Sequence, residues 1–459
     1  MHRPAVSHTS SSASASNRSS RRRLLKQGAH LAAGSVLAAV ASRGWTAEDN
    51  TIRLALVGCG GRGSGAVGDA LSSTTGPTRL IAMADVFEDR LAGSHKALTD
   101  QFGPRIDVPA ERRFVGFDAY KKAIDILGPG GVLIQATHAV FRPTHLAYAI
   151  EKGVHVFMEK SFAPDPGGTQ DLLALSKTAD AKGLKIGCGV MCRHSESRQA
   201  LIDRIREGAI GDVHLIRAYR MDGGARMGPF PGGQSELLWQ IRRPYFFIWA
   251  SSGWFSEMMI HQVDECCWIK DGWPVSAHGL GGCEPGASDA SENLHTYSIE
   301  YTFADGAKAI VNSRAVPNSF DEFATFVHGT KSAAQFSGNV HAPTVHIYAD
   351  QRTNKDAIAW RPPRERISPY QKEWDVLLTA VRDGTPHNEL PRACNSNLTT
   401  IMGRAAVHLQ RNVTWDEVAA STFKFTDAVK DFTPDTPPPS RADANGFYPK
   451  PNTRDWREI

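Results

Sequence analysis

The chain is poor in cysteine, and its clearest apolar stretch outside the predicted core is too short to cross a bilayer. The seven cysteines are odd in number and two of them are adjacent, which argues against the disulfide framework of a small secreted protein. The pair Cys188 and Cys192 has no partner pair with the spacing of a structural zinc site, so no metal is expected. No segment of the chain is repeated.

Acidic residues are missing from residues 1–47, which carry seven basic ones. An arginine run at 21–23 precedes a Gly/Ala-rich stretch, 28–41, that is too short and too weakly apolar to span a membrane. Paired arginines before such a stretch are typical of a twin-arginine export signal. We therefore expect residues 1–47 to engage the twin-arginine machinery and to leave no membrane span after cleavage. The alternative is a disordered basic tail, which would not need the apolar stretch.

Removal of this predicted signal would change the sign of the formal net charge. Without its seven bases, 45 basic residues face 48 acidic ones, so the formal charge falls from +4 to about −3. Nothing in this balance favours binding to nucleic acid or to an anionic membrane. The predicted location is the periplasm or cell envelope.

The remaining residues, about 410, are long for one core, so two domains are expected. Residues 51–190 alternate short apolar runs with helical patterns, which predicts a Rossmann-type, doubly wound parallel sheet. Residues 191–415 carry longer strand patterns and predict an α+β domain with a large antiparallel or mixed sheet. One face of such a sheet needs cover, which another subunit or the first domain can provide, and a homo-oligomer formed through the sheet is expected. Residues 416–459 are Pro-rich and predict an extended arm.

A glycine-rich turn follows the first predicted strand at 52–57. Gly58 can form the tight turn, Gly60 lets the backbone approach a pyrophosphate, and Gly63 lets the next helix pack closely. Asp85 lies at the end of the next apolar run, where a carboxylate binds the ribose hydroxyls of a dinucleotide. Because a carboxylate there repels a 2′-phosphate, NAD is favoured over NADP.

Candidate acid–base residues occur at two further places. Lys160 follows a predicted strand, and ligands of open α/β sheets bind at this end of the strands. On a predicted helix at 254–270, Glu257, His261 and Asp264 share one face, so Glu257 can orient His261 for proton exchange. Alternatively, Lys160 is a surface charge, and the helix face is an ordinary polar side.

These motifs together resemble the Gfo/Idh/MocA oxidoreductases, over about 51–415. The resemblance rests on four segments: 56–63 (Leu-Val-Gly-Cys-Gly-Gly-Arg-Gly), 153–160 ending in Glu-Lys, the pair Glu257 and His261 followed by Asp264, and 328–331 (His-Gly-Thr-Lys). It implies a two-domain subunit, a nicotinamide cofactor and a sugar or cyclitol substrate. It also implies that Lys160 polarises the reacting hydroxyl and that His261 accepts its proton.

The chain departs from the family pattern at three places. Ser161 replaces a proline whose preceding peptide is typically cis, so a trans peptide is expected before Ser161. His138 and Arg142 replace a frequent Pro and a frequent His, and Glu257 stands where Asp is common. Each change can alter the substrate or the direction of reaction.

The predicted site residues fall into three groups. The catalytic residues are Lys160, His261 and Glu257. The cofactor-binding residues are Gly58, Gly60, Gly61, Arg62, Gly63, Asp85, Thr137 and Glu159. The substrate-binding residues are Arg142, Arg193, His194, Trp239 and Asp264, with the aromatic segment 239–249 available for sugar rings.

Three functions remain open at this point. The first is an exported NAD-dependent dehydrogenase acting on a secondary hydroxyl of a sugar or cyclitol. The second is a glycoside hydrolase that oxidises the sugar transiently and returns the hydride from a retained NAD, which suits a location where free NAD is scarce. The third is a non-catalytic sugar-binding protein.

Overall fold

The computed structural model describes residues 50–341 and 344–459, so the predicted signal at 1–47 lies outside the described residues. No helix within these two ranges is long and apolar enough to cross a membrane.

The first sheet is six-stranded and entirely parallel, in the order β3-β2-β1-β4-β5-β6. Its strands are β1 (Ile52–Val57), β2 (Thr78–Asp85), β3 (Arg113–Val115), β4 (Val132–Gln135), β5 (His155–Met158) and β6 (Ile186–Cys188). The strands are linked by α1 (Gly61–Leu71), α2 (Glu88–Phe102), α3 (Ala119–Leu127), α4 (Arg142–Glu151) and α5 (Pro166–Ala181). The predicted doubly wound sheet is confirmed. The strand order reverses between β1 and β4, which is where such sheets bind ligands.

The second sheet has nine strands and is mixed, because β10 runs parallel to β7 while its other pairs are antiparallel. Its strands are β7 (Val213–Asp222), β8 (Ser276–Gly282), β9 (Thr296–Thr302), β10 (Lys308–Ala315), β11 (Glu322–Gly329), β12 (Ala333–Ser337), β13 (His346–Tyr348), β14 (Ile358–Trp360) and β15 (Val413–Thr414). The predicted large mixed sheet is confirmed.

The described part of the chain also contains these α-helices: α6 (Glu196–Arg206), α7 (Glu236–Arg242), α8 (Ile248–Ser251), α9 (Gly253–Lys270), α10 (Pro369–Asp383), α11 (Leu390–His408) and α12 (Trp415–Ala420). Alternate residues of β9 are buried, and they pack on α9 and α11 in one apolar core. Leu390 and Cys394 of α11 also belong to the core of the first sheet. Helix α11 therefore joins the two halves of the molecule.

A third apolar cluster lies beside the first sheet. It combines Phe87 and Phe141 with residues 236–247, here called the cover segment, and with residues 421–459. The predicted arm at 416–459 thus begins with the end of α12, and the name arm is kept below for residues 421–459. The ring of Phe432, from the arm, lies 6.0–6.2 Å from the rings of Phe117, Phe141 and Trp249. The Gly- and aromatic-rich insertion between β7 and α9 is thus largely packed and partly helical.

Helix α10 covers the first sheet through Trp374, which is fully buried and stacks on Phe157 of β5 at 4.2 Å. We expect Trp374→Ala to lower the free energy of unfolding by about 3–5 kcal/mol, because it leaves a large cavity. Phe320→Ala is the matched control, since Phe320 is 68% exposed. Denaturant unfolding of both variants measures the effect, and equal stabilities would contradict this packing role.

Candidate active site

The glycine turn after β1 has two positions that only glycine fits. Gly58 has φ +99°, and a Cβ there would lie 2.6 Å from the backbone of Ala136. A Cβ on Gly63 would lie 2.1 Å from the carbonyl oxygen of Gly58. In contrast, a Cβ on Gly60 or Gly61 would meet nothing within 4 Å. Gly58 and Gly63 therefore pack closely against the neighbouring backbone, whereas Gly60 and Gly61 leave open space beside the turn.

Asp85 holds this turn from the end of β2. Its Oδ2 accepts a hydrogen bond from Cys59 N at 2.6 Å, and its Oδ1 accepts one from Phe87 N at 2.8 Å. Burial raises the pKa of Asp85 above its usual value, an effect that these hydrogen bonds oppose. A carboxylate has about four acceptor sites, so Asp85 can still accept further hydrogen bonds.

A cavity of about 370 Å³ extends from the glycine turn to Lys160. Eleven of the predicted site residues line it: Gly58, Gly60, Gly61, Arg62, Gly63, Asp85, Thr137, Arg142, Glu159, Lys160 and Glu257. Five others do not: His261, Arg193, His194, Trp239 and Asp264. The structure therefore brings the predicted cofactor residues together with two of the three predicted catalytic ones.

Lys160 lies just beyond β5 and forms an ion pair with Glu257 from α9. Lys160 Nζ donates to Glu257 Oε2 and to the Glu257 carbonyl oxygen, both at 2.7 Å. Burial, the largest single effect, would lower the pKa of Lys160, but the charge and hydrogen bond of Glu257, with the charges of Tyr245 and Glu159, together raise it. Lys160 is therefore a charged donor, and one of its three N–H groups is left for a ligand.

The prediction that Glu257 orients His261 is wrong. Glu257 binds Lys160 instead, because Lys160 enters from the first sheet at the first turns of α9. His261 lies one helical turn further along, and its Nδ1 is buried without a hydrogen-bond partner. Burial, followed by the charge of Lys160, lowers its pKa well below the usual value. The imidazole is thus uncharged near neutral pH, and the same burial and positive charge oppose its protonation.

The expected trans peptide before Ser161 is also wrong, because the Lys160–Ser161 bond is cis. The peptide is held from both sides. Arg142 Nη2 donates a hydrogen bond to the Lys160 carbonyl oxygen at 2.9 Å. Ser161 Oγ donates one to the Ser256 carbonyl oxygen at 3.4 Å. Ser161 itself is fully buried.

Arg193 and Asp264 bind each other, which removes both from the predicted substrate site. Arg193 donates to both Asp264 oxygens, at 2.8 and 2.9 Å, and Ser396 Oγ donates a third bond at 2.6 Å. Burial would raise the pKa of the fully buried Asp264, but Arg193 holds it below its usual value. These groups form a buried structural ion pair, which no single-sequence periodicity can distinguish from a ligand-binding pair.

His194 and Trp239 are likewise engaged elsewhere. The ring of His194 contacts Glu389 at 3.1 Å. The indole of Trp239 lies 3.4 Å from the guanidinium of Arg243 and packs edge-on against Phe230. The placement of Trp239 at the cavity was therefore wrong, because its ring is covered by Arg243.

Sequence reasoning missed the contribution of the cover segment. Its six consecutive residues Ile241–Phe246 line the cavity from the Asp85 end to the Lys160 end. Tyr245 lies close enough to Glu257 and Lys160 for both charges to shift its pKa, which is raised by Glu257 first. The aromatic richness of 239–249 was the available signal, but it did not identify which rings face the cavity.

Three observations bear on whether the cavity can hold a dinucleotide. Gly60 and Gly61 leave room for a pyrophosphate, and no side chain caps the N-terminus of α1, whose N–H groups are suited to phosphate. Asp85 can accept hydrogen bonds from ribose hydroxyls. At the other end, Arg142 lines the cavity with Nε and Nη1 buried and without hydrogen-bond partners.

Comparison with known proteins shows the fold. No family model and no curated protein matches the chain. Among solved structures, it is similar to an aldose–aldose oxidoreductase from Caulobacter crescentus (16% identity, TM-score 0.61, covering 80% of this chain and 100% of that one). It is also similar to scyllo-inositol dehydrogenase from Lactobacillus casei with bound NAD(H) and scyllo-inositol (18%, 0.57, 80% and 100%). A third is myo-inositol 2-dehydrogenase from Lactobacillus plantarum (17%, 0.58, 80% and 99%).

These likenesses, at low sequence identity, show that the chain shares the fold of these structures, a parallel-sheet domain followed by a mixed-sheet domain.

Two glycine variants test the turn as a cofactor cradle. Gly63→Ala should destabilise the cofactor-free protein, because its Cβ would overlap the Gly58 carbonyl. Gly60→Ala should keep the melting temperature, since Gly60 has φ −76° and its Cβ meets nothing within 4 Å. It should nevertheless lose the stabilisation that added NAD gives the parent. Thermal shift with and without NAD measures both, and undiminished stabilisation of Gly60→Ala would contradict the cradle.

Proposed function

We propose that this protein is an NAD-dependent oxidoreductase that transfers a hydride from a secondary hydroxyl of a sugar or cyclitol to the cofactor. The observation that carries the proposal is the Lys160–Glu257 pair in the cavity that begins at the glycine turn and Asp85. The likeness to sugar and cyclitol dehydrogenases in fold supports it.

Asp85 and its neighbours favour NAD over NADP. A 2′-phosphate would meet the Asp85 carboxylate, and the nearby arginines are already bound. Arg90 donates to the Arg242 carbonyl oxygen at 2.9 Å, and Arg242 forms a bidentate pair with Asp89 at 2.8 and 3.0 Å. Arg62 pairs with Glu159 and Asp69, each at 2.9 Å. Arg62 and Arg242 are therefore already neutralised by carboxylates.

The residues near Lys160 divide the acid–base work. When bound, the nicotinamide supplies the hydride acceptor. Lys160, held charged by Glu257, directs its remaining N–H at the substrate oxygen and stabilises the negative charge that develops there. His261, one turn further along α9, is the candidate acceptor of the hydroxyl proton; because it does not line the cavity, it can act only on a substrate oxygen that reaches past Glu257. Because Lys160 is also positive, it favours the uncharged form of His261.

We also infer export and self-association. The twin arginines and the apolar stretch within 1–47 support delivery to the periplasm or cell envelope. The outward residues of β10, including Lys308, Ile310 and Asn312, are half-buried and alternate with fully buried ones. This open face of the second sheet supports a homo-oligomer.

Replacing Lys160 tests the dehydrogenase function. Lys160→Met should lower kcat/KM by at least about 100-fold, because it removes the group that stabilises the developing charge. Lys177→Met is the matched control, since Lys177 is exposed. Both are assayed for NADH formation against a panel of cyclitols and aldoses, and cofactor content is read by mass spectrometry of the denatured protein. A sugar-binding protein without catalysis would show sugar binding but no turnover in either variant.

A second candidate is a glycoside hydrolase that recycles a retained NAD, and the cover segment favours it. On the first-sheet side, His138 Nε2 contacts the Ile241 carbonyl oxygen at 2.8 Å. On the other side, Asn293 Nδ2 donates to the Tyr245 carbonyl oxygen at 2.8 Å. On the side that faces the arm, the Ser440 carbonyl oxygen accepts a hydrogen bond from Gln240 Nε2 at 2.8 Å. These bonds hold the segment over the cavity, so a cofactor beneath it would be released slowly.

The solvent-accessible ion pair between Arg242 and Asp89 attaches the cover segment to α2. Loss of this pair should speed release of the cofactor. Arg242→Ala should lose NAD at least about tenfold faster than the parent during dialysis, because the pair and the stacking of Arg242 on Phe87 are both removed. Arg204→Ala, which breaks a surface pair with Glu207, is the control. Release of an aglycone without accumulated NADH would favour the hydrolase, whereas net NADH would favour the dehydrogenase.

A further inference from the structure

Helix α11 binds both chain segments that build the Lys160–Glu257 pair. Its Asn397 donates from Nδ2 to the Ala163 carbonyl oxygen at 2.9 Å. Two turns later, Arg404 Nη2 donates to the Pro164 carbonyl oxygen and Nη1 donates to the Ser252 carbonyl oxygen, both at 3.0 Å. Pro164 lies four residues after Lys160, and Ser252 immediately precedes α9. One planar guanidinium thus bridges the Lys160 loop and the start of the Glu257 helix.

The charge of Arg404 is balanced by the arm. Arg404 is 1% exposed, and its Nε lies 3.3 Å from Oε2 of Glu458, which is 0% exposed. Trp456 Nε1 and His408 Nδ1 contact the same oxygen at 2.7 and 2.9 Å. Burial would raise the pKa of Glu458, but Arg404 and His408 lower it to about 2. The carboxylate is therefore charged throughout the neutral range.

This arrangement makes the orientation of Arg404 depend on Glu458. A buried guanidinium without its carboxylate is strongly unfavourable, so it turns toward other acceptors or toward water. Either change releases Pro164, Ser252 or both. The distance between Lys160 and Glu257 is then no longer set by a rigid bridge.

We propose that Glu458 is a positioning residue for the Lys160–Glu257 pair and acts through Arg404. Its effect on turnover rests on the proposed function, whereas its effect on the two bridged segments does not. The alternative is that Glu458 only stabilises the attachment of the arm.

Hydrogen exchange and kinetics of Glu458→Gln separate these possibilities. The variant keeps the shape of the side chain but removes its charge. We expect amide exchange to accelerate in peptides covering 158–168 and 250–258, while β9 stays as protected as in the parent. We expect kcat to fall about tenfold or more, with the KM for NAD within about twofold, because displacement of the reacting groups affects the chemical step. Glu458→Asp should recover part of kcat.

Arg457→Ala is the matched control, because Arg457 is the exposed neighbour of Glu458 in the arm. Should Glu458→Gln fail to fold, Trp456→Phe removes the indole donor to the carboxylate, keeps an aromatic ring at this position and should show the same pattern more weakly. A lower melting temperature with unchanged exchange in both peptides and unchanged kcat would overturn the proposal. A parent protein without oxidoreductase activity would overturn the proposed function, while the exchange data would still decide the role of Glu458.

Discussion

The ion pair between Lys160 and Glu257 is the contact on which the rest of the site depends. Lys160 follows the carboxyl end of β5 in the parallel sheet, and Glu257 comes from the helix that supports the mixed sheet, so the pair forms only when both halves are folded and docked. The side chains are 16% and 5% exposed, and charges so far from water are costly unless they are paired and hydrogen-bonded. Removing either partner would leave the other charge uncompensated. The contact therefore couples the chemistry of the site to the docking of the two halves.

Backbone constraints, rather than side-chain interactions, set the opposite end of the cavity. The turn at Gly58 and Gly63 has no room for a Cβ, while Gly60 faces open space, so the same short run of glycines both closes a turn and leaves a surface free. Asp85 holds that turn through the Cys59 amide and keeps its remaining lone pairs for a ligand. The two ends of the cavity thus have different physical origins, steric at the glycines and electrostatic at Lys160.

Much of this arrangement could be predicted from the sequence, because it is encoded locally. Strand and helix periodicities predicted the doubly wound sheet and the mixed sheet, and motif spacing brought Gly58, Asp85 and Lys160 to one cavity. The failures concern partners distant in sequence. The helical spacing of Glu257, His261 and Asp264 predicts that they are neighbours on one face. It does not reveal that Glu257 forms an ion pair with Lys160 or that Asp264 forms one with Arg193. Small strands such as β3 are also too short to have a detectable pattern.

The arm and the cover segment show why such partners matter for function. Their aromatic and Pro-rich composition predicts ordered, irregular structure but not its position. Position is decided by contacts distant in sequence, such as Gln240 with Ser440, 200 residues apart, and Arg404 with Glu458, 54 residues apart. Arginine suits this role since its planar fork can donate in several directions at once, whereas a lysine would fix only a point charge. A late segment of the chain therefore contributes no group to the cavity, yet its carboxylate determines where Arg404 points. The separation of Lys160 and Glu257 in turn depends on Arg404. In this fold, the residues that hold the catalytic geometry lie outside the motifs that identify it.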